Sequence, residues 1–236
     1  MAEERAIELL NGAPRLQRRG TDEPERGWLF GGADEIFRGL YTRAGIGFAS
    51  EVLMVSSAVA GEGKTSVSVG LAVTVAQDYP DRRVVLVETD AQRPALATDF
   101  GVEPTPGLID CLVGGQKMEL AFRATFLENF HVVPVGAAPN GGGRALRSGR
   151  MAAFVEALRQ TYDLVILDAP ALLVNSDSVM LSDLADGTIV VARAGATPAP
   201  ALAKALEQID EAKVRGIVLN GTRSSLPGWL QRLCGY

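Results

Sequence analysis

Only two cysteines occur in the 236 residues, Cys111 and Cys234, and only one histidine, His131. The cysteines stand far apart with no partner at metal-ligand spacing. That excludes a thiolate zinc site and points to a reducing compartment. A lone imidazole has no second one with which to share a metal, so His131, in an apolar segment, reads as a packed strand residue. Long hydrophobic runs are missing too: none approaches the roughly 18–20 residues that span a bilayer. The opening Glu3-Glu4-Arg5 does not read as a signal peptide. The expected location is therefore cytoplasmic, with no direct membrane insertion and any membrane recruitment supplied by a partner. Internal repeats and low-complexity blocks are absent. The net charge of -5, spread evenly, argues against a dedicated nucleic-acid binder.

Apolar residues make up 47% of the chain, enough for a sizeable core. Residues 1–27 are charged and broken by Pro14, Gly20 and Pro24. They are expected to form a flexible arm, with a helical turn or two over Arg5 to Leu10. A single domain is expected over 28–225, and a short tail over 226–236. The spacing of Ile36, Phe37 and Leu40 predicts a helix over Asp34–Arg43, on which Glu35 and Arg38 can pair. Strands are predicted at Val52–Ser56, Val84–Val87, Val132–Val135, Leu164–Leu167, Ile189–Ala192 and Ile217–Leu219. Between them the pattern predicts helices at Thr65–Gln77, Met151–Thr161, Ser176–Leu184 and Pro200–Lys213. The strands are continuously apolar rather than alternating, which marks a sheet buried on both faces. The fold class is α/β, with a mostly parallel central sheet and helices on both faces.

One stretch organises the rest: Ser56-Ser57-Ala58-Val59-Ala60-Gly61-Glu62-Gly63-Lys64-Thr65. An apolar strand leads in and a helix leads out, the context of a phosphate-binding loop. Backbone N–H groups of Ala60 to Ser66 can cradle an anion, and the helix dipole adds to the field. Lys64 is assigned to the β/γ-phosphates, and the Thr65 hydroxyl to Mg²⁺. Two further strands end in carboxylates, Glu88-Thr89-Asp90 and Asp168-Ala169-Pro170. Buried carboxylates need a partner or a task. Asp168 and Asp90 are assigned to the metal, directly or through water, and Glu88 to a base facing the attacking group. Asn220, before Gly221, is a candidate reader of an adenine edge. Asn140 to Arg144 reads as a plain surface loop.

These segments resemble the three nucleotide motifs of the bacterial tyrosine kinases, the capsular and exopolysaccharide tyrosine autokinases, within the deviant P-loop group that also holds the Min and Par ATPases. The likeness covers roughly Asp34 to Asn220. Val59 stands where the Min and Par branch carries an extra lysine, which favours the kinase branch. Glu88 and Gln92 replace an Asp and an Arg of the family's second motif, and Ala171 replaces the second Pro of its third. Glu35 and Arg38 fall on the family's ring-forming helix motif, and Tyr41 stands where that motif carries a second Arg, with Arg43 two places further on. The resemblance implies a three-layer P-loop NTPase fold and a cytoplasmic kinase that uses ATP and Mg²⁺. It further implies assembly as a homo-oligomer and activation by a transmembrane protein of the polysaccharide export system. Tyrosines near the C-terminus are the family's phospho-acceptors, and Tyr236 occupies that place. Two alternatives stand beside the kinase: a non-kinase ATPase switch of the partition type, and a nucleotide-binding regulatory subunit of the polysaccharide machinery.

Overall fold

The computed structural model describes residues 7–11, 34–46, 50–137 and 142–222. Tyr236, Cys234, Asn140 and most of the expected N-terminal arm lie outside the described residues. The strands are β1 (Ile7–Asn11), β2 (Glu51–Ser57), β3 (Val84–Glu88), β4 (Arg123–Ala124), β5 (Phe130–Val133), β6 (Leu164–Asp168), β7 (Gly187–Arg193) and β8 (Val214–Thr222). They form one sheet in the order β1-β8-β7-β2-β6-β3-β5-β4. Every described pairing is parallel except that of β4 with β5. The helices are α1 (Asp34–Arg43), α2 (Lys64–Asp78), α3 (Leu96–Phe100), α4 (Leu108–Gly114), α5 (Gly143–Leu146), α6 (Gly149–Arg159), α7 (Asp177–Leu184) and α8 (Ala199–Leu206).

The central strands β2, β3 and β6 are buried along their whole length, which is why they read as unbroken apolar runs. Successive residues point into two different cores. Val52 and Met54 join one with Leu158 of α6 and Leu181 of α7, whereas Leu53 and Val55 join the other with Phe37 of α1 and Leu71 of α2. Phe37 is fully buried and Leu40 nearly so, each worth about 1.5–3 kcal/mol of transfer free energy. Parallel register places Asp168 beside both Val55 and Glu88. The ends of β2, β6 and β3 thus share one edge, the side of an open α/β sheet where ligands bind.

Several local expectations change. Ile7–Asn11 is a strand pairing with β8, Ile7 against Ile217, not the helical turn expected there. So short a segment cannot nucleate a helix by itself, whereas the edge of β8 offers it a ladder of hydrogen bonds. The predicted Pro200–Lys213 helix ends at Leu206, and a 3-10 turn follows at Glu211–Lys213. Gly143–Leu146 is a single helical turn rather than plain loop. The short α3, α4 and β4 have no counterpart in the predicted elements.

Candidate nucleotide site

β2 ends in Ser56 and Ser57, the chain turns through Ala58 to Gly63, and α2 begins at Lys64. Two glycines in the left-handed region shape the turn, Gly61 at φ 86° and Gly63 at φ 91°. Gly63 has a second reason to be glycine: a Cβ there would lie 2.0 Å from Asn220 Nδ2.

A cleft of ≈ 240 Å³ opens over the turn. Its floor is Ala60, Gly61, Gly63, Lys64, Thr65 and Ser66; Asp90, Gln92 and Arg93 form one wall, and Pro170, Ala171 and Val174 the other. Lys64 Nζ meets Asp90 Oδ2 at 2.9 Å. Burial pulls the Lys64 pKa down, but Asp168 and Asp90 outweigh it and hold the ammonium above its ordinary value. Thr65 Oγ1 donates to Asp168 Oδ2 at 2.7 Å, and Ser68 Oγ donates to Asp168 Oδ1 at 3.0 Å. Burial raises the Asp168 pKa, and the charge of Lys64 and the two hydroxyl bonds oppose it. The strand end itself is pinned: the Asp168 carbonyl accepts from the N–H and hydroxyl of Thr89.

Neither Glu62 nor Glu88 is among the residues that line the cleft. Glu62 is 2% exposed and turns its side chain behind the loop. One carboxylate oxygen accepts from Val59 N at 2.8 Å and the other from the Thr197 hydroxyl, so its side chain braces the loop that its backbone helps to form. Glu88 was expected to face an attacking group. Instead Oε1 accepts from the N–H groups of Ala95 and Leu96, and Oε2 from Val135 N at 3.1 Å. Burial raises its pKa, and those three backbone bonds oppose the shift. Glu88 ties the start of α3 and the end of β5 to the sheet, leaving Asp90 as the carboxylate that lines the cleft.

Asn220 Nδ2 donates to Glu62 O at 2.8 Å, while the buried Oδ1 has no partner among the described residues. An orphaned acceptor beside a phosphate loop fits a ligand that brings an amino donor, as adenine does. No cluster of three His, Cys, Asp or Glu able to hold a metal exists among the described residues. The donors present, a threonine hydroxyl and nearby carboxylates, suit a hard cation such as Mg²⁺, which takes its remaining ligands from phosphate and water. Outside the cleft, a second surface hollow adjoins Arg123, whose guanidinium is committed to the carbonyls of Glu103, Pro106, Leu120 and Phe122.

Two residues were missed from sequence. Ser68 had a signal: it follows Thr65 by three positions on a helix, hence on the same face. Thr197, far along the chain, had none.

No protein-family model matches the chain. It is 33% identical over 190 residues to the tyrosine-protein kinase YwqD of Bacillus subtilis, covering 78% of this chain and 79% of that protein. It is 29% identical over 182 residues to the tyrosine-protein kinase ptk of Acinetobacter johnsonii, covering 76% of this chain but 25% of that protein. The chain likewise spans about a quarter of several other curated relatives. Among solved structures, the kinase domain of the Escherichia coli tyrosine kinase ETK matches with a TM-score of 0.76 at 28% identity, covering 83% of this chain and 78% of that one. The septum site-determining protein MinD of Pyrococcus horikoshii, complexed with Mg-ADP, shares the fold, with a TM-score of 0.63 at 24% identity over 78% of this chain and 76% of that one.

Proposed function

The chain belongs to the bacterial tyrosine-protein kinases, and on that premise we propose that it transfers the γ-phosphoryl group of ATP to tyrosine hydroxyls, Tyr236 of a neighbouring copy among them. The observation that carries this reading is the convergence at one sheet edge of a left-handed glycine turn, Lys64, the Thr65–Asp168 hydrogen bond and the orphaned Asn220 Oδ1. Phosphoryl transfer asks the protein for in-line positioning and charge neutralisation. The loop N–H groups of Ala60 to Ser66 hold the phosphates. Asn220 accepts from the adenine amino group. Thr65, with its proton engaged by Asp168, keeps hydroxyl lone pairs for a cation. Bound Mg²⁺ would supply positive charge to the β- and γ-oxygens. Lys64 leaves Asp90 for the phosphates, and Asp90 is then free to accept the proton of the incoming tyrosine or to hold a metal-bound water.

The resemblance of the motifs further supports a role in capsular or exopolysaccharide synthesis and export. On the same ground, we place the chain in a homo-oligomer at the inner face of the plasma membrane, recruited there by a membrane-spanning activator. No helix among the described residues is long and apolar enough to cross a membrane.

Incubation with labelled ATP and Mg²⁺ tests the reaction, with phosphotyrosine and free phosphate measured separately. Wild type should form phosphotyrosine, Tyr236→Phe should lose most of it, and Lys64→Ala should form none. Phosphate release with no phosphotyrosine would replace the kinase by an ATPase switch.

A further inference from the structure

We propose that Ser68 is a positioning residue for the cation of the nucleotide site: it locks the Asp168 carboxylate so that Thr65 presents its hydroxyl oxygen to Mg²⁺. The proposal rests on reading the cleft as a Mg–ATP site.

The geometry leaves Asp168 little freedom. The residue is 1% exposed and Ser68 is fully buried. Each carboxylate oxygen receives one hydroxyl, Oδ2 from Thr65 and Oδ1 from Ser68. The two donors stand three residues apart on the face of α2 that meets the end of β6, so together they fix the rotation of the carboxylate. Ser68 Oγ also lies 3.0 Å from Lys64 O, and a serine hydroxyl has one proton to give. A hydrogen bond to an ionised acceptor is about twice as strong as one to a neutral acceptor. The Lys64 carbonyl already has its helical partner, the Ser68 N–H. The proton therefore goes to Asp168.

Without the Ser68 hydroxyl, Oδ1 would be buried with no donor, and the nearest charge of opposite sign is Lys64. The carboxylate would no longer be fixed in rotation and would release the Thr65 proton. That hydroxyl would then rotate, and its lone pairs would no longer be held towards the phosphates. Groups that orient a metal ligand in this way typically contribute 10–100-fold to metal affinity. The Ser68 hydroxyl makes no hydrogen bond to the backbone N–H groups that cradle the phosphates, only to Asp168 and beside Lys64 O, so binding of metal-free nucleotide should not change.

Equilibrium binding of a fluorescent ATP analogue tests this, titrated once in EDTA and once across a range of Mg²⁺. Ser68→Ala introduces a better helix former, and its melting temperature reports whether the fold is kept. The variant should match wild type in EDTA, while the Mg²⁺ concentration giving half of the affinity gain rises about tenfold. Ser68→Cys, close in size and a weaker donor, should fall between the two. An unchanged Mg²⁺ dependence in Ser68→Ala would overturn the proposal. So would an affinity that falls equally with and without Mg²⁺, since that marks a distorted loop rather than a misplaced ligand. If wild type itself gains nothing from Mg²⁺, the Mg–ATP reading fails and the proposal fails with it.

Discussion

Lys64 Nζ is held 2.9 Å from Asp90 Oδ2, with both side chains at most 10% exposed. The cation that we assign to the phosphates thus also keeps a cluster of buried carboxylates tolerable. Removing one partner of a buried pair strands the other charge, at a cost of about 3–5 kcal/mol. Lys64→Ala should therefore melt well below wild type without nucleotide, and ATP–Mg²⁺ should no longer raise its melting temperature. Thermal shift with and without nucleotide measures both effects. An undiminished nucleotide-induced rise would remove Lys64 from the phosphate site.

Glu88 separates a structural role from a chemical one. Its two oxygens accept three backbone N–H groups. An amide in its place turns one acceptor into a donor facing donors, and a buried donor left unpaired costs about 1–3 kcal/mol. Glu88→Gln should therefore lower stability in chemical denaturation together with phosphotyrosine formation. Glu88→Asp, one methylene shorter, should be destabilised as well. Lost phosphotyrosine at wild-type stability would return Glu88 to the role of base.

Gly70 of α2 sets helix propensity against packing. In an open helix Gly→Ala stabilises by about 1 kcal/mol. Here the new Cβ would come within 2.1 Å of Phe37 Cζ, and the Phe37 ring is fully buried. Overpacking of this kind costs about 1–3 kcal/mol or more, so packing wins. Gly70→Ala should be less stable than wild type in urea unfolding, and Gly70→Ala combined with Phe37→Leu should recover part of the loss.

The α1–α2 contact carries a pH dependence of known sign. Arg38 grips Asp78 with both arms, Nε at 2.8 Å and Nη2 at 2.9 Å, and Tyr41 donates to the same carboxylate at 3.0 Å. The Arg38 bonds hold the Asp78 carboxyl below its ordinary value, partial burial opposes them, and the Tyr41 hydroxyl adds to the lowering. The unfolded chain protonates Asp78 near its ordinary value of about 3.9, and the folded chain only at lower pH. The stabilisation is full above the unfolded value and is lost as pH falls through the folded one. Arg38 is 42% exposed, and solvent screening keeps the contribution of the pair small. Asp78→Asn should thus melt slightly lower than wild type at neutral pH, with the deficit shrinking below about pH 3.9. A deficit unchanged into acid would mean that the charge of Asp78 is not what holds the helices.

The sequence alone determined the layers of this protein and the place of its candidate site. Buried parallel strands must be apolar throughout, a phosphate loop must have its glycines, lysine and hydroxyl in order, and α1 must repeat its apolar face. Each of these requirements acts between near neighbours and is therefore written locally. Tertiary structure decided the rest. Ile7–Asn11 became a strand because β8 offered it an edge, and Glu88 was drawn into bonds with Ala95, Leu96 and Val135. Ser68, Thr197 and Asn220 acquired roles through contacts 100, 135 and 158 residues distant. A hydrogen bond between residues so far apart leaves no periodicity in the chain, because it depends on where the sheet delivers two strand ends rather than on what adjoins either residue.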